Sequence, residues 1–388
     1  MLDKLRLSLF ENIVNGSKIA NEEELNAALE VGGAFSCEPE ELCYYTKDET
    51  ELNFANHSGL DELKIPFASK NKKKKQKRKE GGEKDRPIIG TCLTEGFDDF
   101  VSPNLNDVYS LNDLFRSLQY LIESGKLSRD KLKVLTMRRH LMKLMCVPFN
   151  KQQVNFNVIY WRGLIIFAYD WGEEMKLVSD SYQRMYQYSG YEFEKVVTET
   201  MRDSKSRFYT VVQHSVGDNP VCYSAEIDCA ISKEPGLANY VELKTHSKLL
   251  DDKFKTANKL QRKLMTLYCQ NKFISCNYSL IGFRSMDFKL ASIKKYTECE
   301  LIGRLNALPI FLTHGCSIKT KHMFQWYNLV ICWLCQKQFD DDRRHVFKLS
   351  FEREPELMDS HLNMKAVTGA EELQIFNKLV PEWFQNFY

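Results

Sequence analysis

The chain has 388 residues, 43% of them apolar, 12% aromatic and 27% charged, and a net charge of +2. That length suits one large domain or two, and the composition excludes wholesale disorder, a collagen repeat and a coiled coil. The near-neutral charge hides one concentration: Lys70, Lys72, Lys73, Lys74, Lys75, Lys77, Arg78 and Lys79 place eight positives within ten residues, leaving −6 on the remainder.

At the start, Asp3, Lys4 and Arg6 interrupt the apolar residues, so the uninterrupted segment of a signal peptide is missing. The 12 cysteines have no regular spacing and are expected to be reduced thiols of an intracellular protein, not a disulfide framework. No window approaches the roughly 18 consecutive apolar residues of a membrane span, so no membrane association is expected. Residues 69–89 form a lysine-rich insertion that cannot bury a core and is expected to be disordered. The same run is of the kind read by nuclear import receptors or drawn to phosphates, so a nuclear protein is expected.

From Leu111 to Met145 two amphipathic helices are predicted, one with Leu114, Leu118, Leu121 and Ile122 inward, the next with Leu135, Leu141 and Leu144. Val154, Phe156, Val158 and Tyr160 then alternate, Arg162 and Gly163 turn the chain, and residues 164–169 run back as a β-hairpin. A helix is predicted after Gly190, with Phe193, Val196 and Val197 at helical spacing. Residues 207–231 and 239–245 read as strands, and 254–273 as a helix with Leu260, Leu264, Leu267 and Tyr268 inward. Two further strands, 278–283 and 345–351, flank a helix around Asn328 to Cys335. Strands and helices interleave without strict βαβ alternation, which predicts a mixed α/β fold. Cys332 and Cys335 lack a second pair at zinc spacing and read as core thiols; Trp161, Trp171 and Trp326 also read as core.

The densest chemistry lies in AEIDCAI and YVELKT. On a strand, side chains two apart share a face, so Glu226 and Asp228 project together, as do Glu242 and Lys244. Pro235 and Gly236 sit in the short gap between the segments, and antiparallel pairing would bring all four groups to one patch. Three carboxylates at about 4–6 Å repel strongly, and a single lysine cannot neutralise them. A hard divalent cation can, and carboxylates with a main-chain carbonyl suit magnesium or manganese, which would activate water and offset a phosphate's charge. Acid, thirteen residues, then Glu-x-Lys is also the layout of the PD-(D/E)xK nuclease core. A solvated sheet face with cross-strand ion pairs would carry the same residues. Glu194, in GYEFEKVV, is predicted on the first turn of its helix, where the macrodipole favours a carboxylate. Gln270 shares a helix face with Lys263, so both are expected to look toward the same cleft.

Taken in order, TMRRHL (136–141), GYEFE (190–194), EID (226–228), ELK (242–244) and the helical Gln270 resemble the motifs of the DXO decapping-exoribonuclease family, as does IGFRSMDFKLASIKKY (281–296). The resemblance runs from about Leu111 to the C-terminus and implies a single catalytic domain over 1–388, two mixed β-sheets flanked by helices, with a PD-(D/E)xK-like core. It implies that Arg138 binds RNA phosphates, with Met137 and Arg139 at its sides where the family has tryptophan and glycine. It further implies that Glu194, Glu226, Asp228, Glu242 and the main-chain carbonyl of Leu243 hold two divalent ions (Mg2+ or Mn2+), and that Lys244 and Gln270 contact the scissile phosphate and attacking water. An arginine before the family's Tyr-Tyr pair is replaced here by Cys43. The implied activities are removal of incompletely methylated caps as a dinucleotide, of pyrophosphate from 5′-triphosphate RNA and of NAD caps, with 5′→3′ exoribonuclease action. A nuclear 5′→3′ exoribonuclease is the implied partner, because the family's fungal branch activates one. Two alternatives stay open: a PD-(D/E)xK DNA endonuclease, and a non-catalytic protein that stabilises an exoribonuclease.

Overall fold

The computed structural model describes residues 4–6, 35, 37–65, 88–147, 154–172, 181–199, 206–248, 254–307, 320–340, 343–354 and 359–388. The lysine tract lies outside them. Along the chain the strands are β1 (Lys4–Arg6), β2 (Cys37–Asp48), β3 (Glu51–Phe54), β4 (Glu62–Leu63), β5 (Val134–Met137), β6 (Asn155–Trp161), β7 (Leu164–Tyr169) and β8 (Thr198–Glu199). Then come β9 (Arg207–Val216), β10 (Asn219–Ile227), β11 (Cys229–Ala230), β12 (Tyr240–Ser247), β13 (Tyr278–Arg284), β14 (Leu290–Thr297), β15 (His345–Glu354) and β16 (Asp359–Val367). The α-helices are α1 (Leu105–Val108), α2 (Asn112–Glu123), α3 (Arg138–Cys146), α4 (Ser181–Val197), α5 (Phe254–Phe273), α6 (Glu298–Ala307), α7 (Thr320–Cys335), α8 (Ala370–Leu379) and α9 (Glu382–Phe387).

Two mixed sheets carry this α/β fold. The larger has the order β1-β16-β15-β6-β7-β5-β10-β9-β2-β3, the smaller β14-β13-β12-β11-β4-β8. The predicted hairpin forms as β6 and β7, turned by Arg162 and Gly163 at φ of 48° and 76°. Positive φ at both turn positions matches the twist of the two strands, and glycine takes it without strain.

The second of the two early helices starts later than its pattern suggests. Leu135 lies in β5, whose four residues insert parallel between β7 and β10. Helix α4 begins at Ser181, nine residues ahead of Gly190, so Glu194 stands on its last turn and not its first. Phe193 and Val197 anchor that end, packing on Val241, Leu243 and Leu280 of the smaller sheet. A Cβ on Gly282 would lie 2.6 Å from the Phe193 ring, so glycine lets α4 rest flat on β13. Residues of alternate parity, Tyr240 and Ile281, join the larger core with Leu260, Leu264 and Leu267 of α5. By that alternation α4 and α5 cover opposite faces of β12 and β13.

The larger core is built largely of aromatic and branched side chains, Trp161, Trp171 and Trp326 among them. The described cysteines are free thiols, and Cys332 and Cys335 pack against this core. No described helix is long and apolar enough to cross a membrane.

His214 is buried between the Tyr223 and Tyr327 hydroxyls, at 3.2 and 2.8 Å, and burial pulls its imidazole down to about 3. The folded protein therefore keeps the ring neutral below the unfolded value near 6.5, and stability falls as the pH drops below that. Between pH 7 and pH 5 the wild type should lose about 2 kcal/mol more in urea unfolding than His214→Gln, whose side chain does not titrate. Parallel losses in the two proteins would show that His214 is charged in the fold.

Candidate active site

Strand β10 runs in the larger sheet as far as Ile227, and Asp228 follows where the chain crosses into the smaller sheet at β11. The expected antiparallel joining is present but short, linking Cys229 to Val241 and Ala230 to Tyr240. From Glu242 onward β12 pairs only on its other side, parallel with β13, and no described strand covers the edge that faced β11. A pocket of about 200 Å³ opens along this edge, between the two helices. Met137, Arg138, Arg139, Glu226, Asp228, Glu242, Lys244 and Gln270 all line it.

Arg138 starts α3 directly after β5 and is 6% exposed. It donates from Nη1 to Glu242 Oε2 and from Nη2 to the main-chain oxygen of Glu226, both at 2.8 Å. Two of its nitrogens are thus engaged by the protein, whereas Arg139 lies with its guanidinium 5.3 Å from the Tyr109 ring. Lys244 Nζ donates to Asp228 Oδ2 at 3.1 Å, to the Leu243 carbonyl at 2.9 Å and to Glu242 Oε1. Asp228 also accepts the Leu243 N–H at 2.7 Å. Arg207 Nε lies 3.6 Å from Glu226 Oε1. Gln270 reaches the pocket from α5, and its buried Oε1 has no hydrogen-bond partner among the described residues.

The acids are under strain as anions. Burial, then the charges of Asp228 and Glu226, push the Glu194 carboxyl up to about 8. Burial and the Glu242 charge push Asp228 up to about 6. For Glu242 burial acts the same way, but Arg138 and then Lys244 outweigh it and hold this carboxyl well below the usual range. Burial alone would lower Lys244, and Asp228 and Glu242 raise it instead.

Hard oxygen donors crowded until two of them resist ionisation are the set a divalent cation suits. Among the described residues, however, no three acidic, histidine or cysteine side chains converge closely enough to hold an ion as they stand. Lys244 occupies the gap between Asp228 and Glu242. Neutralisation is also shared more widely than one lysine, because Arg138 and Arg207 take part.

Several residues at or beside the pocket carry no local sequence signal. Arg207, two residues before the Tyr209 that faces Glu226 across β9 and β10, is legible only from strand register. Tyr191 of α4 and Tyr45 of β2 line the pocket. Cys43, two residues before Tyr45, is buried and its thiol is pushed up to about 12, first by burial and then by the Glu41 charge. It is not among the residues that line the pocket.

A strand ending in Glu-Ile with Asp228 directly after it, a neighbour bearing Glu-Leu-Lys, and a pocket at the open edge of that neighbour define a nuclease core of the PD-(D/E)XK class. The model of the RAI1 like PD-(D/E)XK nuclease family matches residues 37–385, and the chain belongs to that family. Among curated relatives it is 28% identical over 231 residues to the decapping nuclease RAI1 of Yarrowia lipolytica, a match spanning 54% of this chain and 65% of that protein. It is 24% identical over 185 residues to the human decapping and exoribonuclease protein, across 43% of this chain and 46% of that one. Among solved structures, Scheffersomyces stipitis Rai1 in complex with (3′-NADP)+ and calcium ion superposes with a TM-score of 0.74 at 19% identity, covering 92% of this chain and 96% of that one. Candida albicans Rai1 in complex with pU5-Mn2+ gives 0.72 at 19% identity, covering 91% and 96%.

Proposed function

We propose that this protein is a metal-dependent hydrolase of RNA 5′ ends. Its substrates are incompletely methylated caps released as a dinucleotide, 5′-triphosphates releasing pyrophosphate, and NAD caps, followed by 5′→3′ degradation of the exposed strand. The observation that carries the reading is the meeting of Glu226, Asp228, Glu242, Lys244 and Gln270, drawn from both sheets and α5, on one pocket. Membership of a family whose relatives are named decapping nucleases supports it, as do the pU5 and manganese bound to a protein of the same fold.

Glu194, Glu226, Asp228, Glu242 and the Leu243 carbonyl would hold two ions, magnesium or manganese, which when bound supply charge neutralisation at phosphate and a more acidic water. The remaining work falls to the chain itself. Arg139 offers a positive charge at the pocket wall for the 5′ phosphates, beside Met137. Arg138 holds Glu242 and the end of β10 in place. Lys244, drawn from the acids, can donate to a phosphate oxygen, and the unpartnered Gln270 Oε1 can accept a hydrogen bond from water or a ribose hydroxyl.

Wild type and Glu226→Ala/Asp228→Ala, incubated with 5′-triphosphate RNA and GpppA-capped RNA in magnesium or manganese, test the proposal. Wild type should cut both and the variant neither. Cleavage of duplex DNA alone would make the protein an endonuclease. Stabilisation of an added 5′→3′ exoribonuclease without any cleavage would make it a scaffold. Lys244→Met removes the cation lodged between two carboxylates, and calorimetric titration should show it binding Mn2+ about tenfold more tightly than wild type. Equal or weaker binding would mean that Lys244 does not compete with the ion. Nuclear localisation belongs to the same proposal. A reporter fused to residues 66–90 should enter the nucleus, and one left in the cytoplasm would remove that element.

A further inference from the structure

The pocket has a second wall, on the larger sheet. Tyr45 and Lys47 of β2 and Tyr209 of β9 line it together with Glu226 of β10. Strand register puts them on one face. Tyr45 lies opposite Tyr209, which lies opposite Glu226, and the two tyrosine rings stack with centroids 5.3 Å apart. One row further along that face, Lys47 lies directly opposite Arg207. Like charges facing each other across an antiparallel pair weaken it, so sheet stability does not account for this pair.

Each cation has one carboxylate beside it. Lys47 Nζ lies 2.5 Å from Oδ2 of Asp113 on α2, which also lines the pocket. Arg207 Nε stands 3.6 Å from Glu226 Oε1, beyond the usual N–H···O range, so it can turn to another acceptor without giving up a short bond. Its guanidinium carbon is 5.3 Å from the Tyr191 ring centroid. Burial and then the Glu226 charge push the Tyr191 phenol up to about 12, and the charges of Arg207 and Arg139 oppose that rise, which puts a third cation at the same wall. The Tyr45 hydroxyl, acted on by both Asp113 and Glu226, is wholly buried and has no hydrogen-bond partner among the described residues. A buried donor left unmet costs free energy that an arriving acceptor would recover.

We infer that Lys47 and Arg207 grip the phosphates on the leaving side of the bond that is cut: the pyrophosphate of a 5′-triphosphate, or the polyphosphate bridge of a cap. Strand β2 runs two strand spacings, about 10 Å, from β10, so a lone phosphate beside Glu226 falls short of Lys47. A chain of phosphates can engage both cations and accept from Tyr45. This wall therefore reads how many phosphates the 5′ end carries, and the inference rests on the RNA reading above.

The test is fluorescence anisotropy in EDTA, where the probes stay intact, with U8 labelled at its 3′ end and bearing either a 5′-triphosphate or a 5′-monophosphate. Wild type should bind the triphosphate more tightly. Lys47→Met and Arg207→Met should each cut that preference about tenfold, the effect of one charged hydrogen bond. Lys47→Arg and Arg207→Lys should keep most of it. Asp113→Asn, which releases Lys47 from its carboxylate, should raise the preference severalfold. No preference in the wild type, or affinities for the two probes that fall in equal proportion in the methionine variants, would make both cations structural and overturn the site. Should the methionine variants fail to fold, Asp113→Asn decides alone, and an unchanged or lowered preference there overturns the inference. The hydrolase reading fails separately: a wild type that cuts no RNA but prefers the triphosphate through Lys47 and Arg207 loses that reading and keeps this site.

Discussion

Asp228→Asn is expected to lower hydrolysis of 5′-triphosphate RNA by about a thousandfold or more while making the metal-free protein more stable. The two effects have one origin. Asp228 takes an N–H from Leu243 and a donor from Lys244, both of which the amide oxygen of asparagine can still accept. What it loses is a negative charge that burial and Glu242 oppose, pushing that carboxyl up to about 6. An acid whose folded value is raised destabilises the fold above its unfolded value, and the full cost is present once the pH exceeds the folded one. At pH 8 the substitution should therefore add about 1–3 kcal/mol in urea unfolding, and the gain should vanish near pH 4. Saturating manganese should narrow the gap, because ion binding to the native wild type adds stability that the variant lacks. A destabilised Asp228→Asn at pH 8 would show that the carboxylate is structural, and full activity would remove it from the chemistry.

Arg138→Met should destabilise the protein by about 3–5 kcal/mol, since Glu242 would remain buried with one cation fewer. Arg138 lines the pocket, but its two short bonds run to Glu242 on the smaller sheet and to the Glu226 carbonyl on the larger. It is a clasp between the sheets before it is a ligand for RNA. The cycle with Glu242→Gln separates these roles: the double variant should recover a large part of the loss, because no uncompensated charge is left inside. Arg138→Lys should not substitute, as an ammonium cannot serve both acceptors in the guanidinium's fixed geometry. Unchanged urea midpoints for Arg138→Met would show that the clasp carries no stability.

How much of this was legible depends on whether the signal was local. Alternation announces the 154–169 hairpin and places Glu226 with Asp228 and Glu242 with Lys244, because a strand's period needs no knowledge of its neighbours. Helix α5 keeps its apolar spacing throughout and has the predicted limits, 254–273. β5 is different. Its four residues pair with two strands remote in sequence, and no turn marks them. Gly190 resembles a helix boundary, yet tertiary packing of Phe193 and Val197 outweighs the roughly 1 kcal/mol that a mid-helix glycine costs. The ion pair of Arg207 with Glu226, and the lodging of Lys244 between two acids, follow from how the sheets meet, which no short motif contains.

Because Asp228 stands where the chain leaves one sheet for the other, its crowded neighbourhood exists only after both layers are complete. A nascent chain that has emerged through β10 but not β12 carries its acids as separate hydrated groups, with no shared cleft to receive a phosphate. The pocket is thereby complete only once synthesis has passed Gln270, the last residue in the chain that lines it.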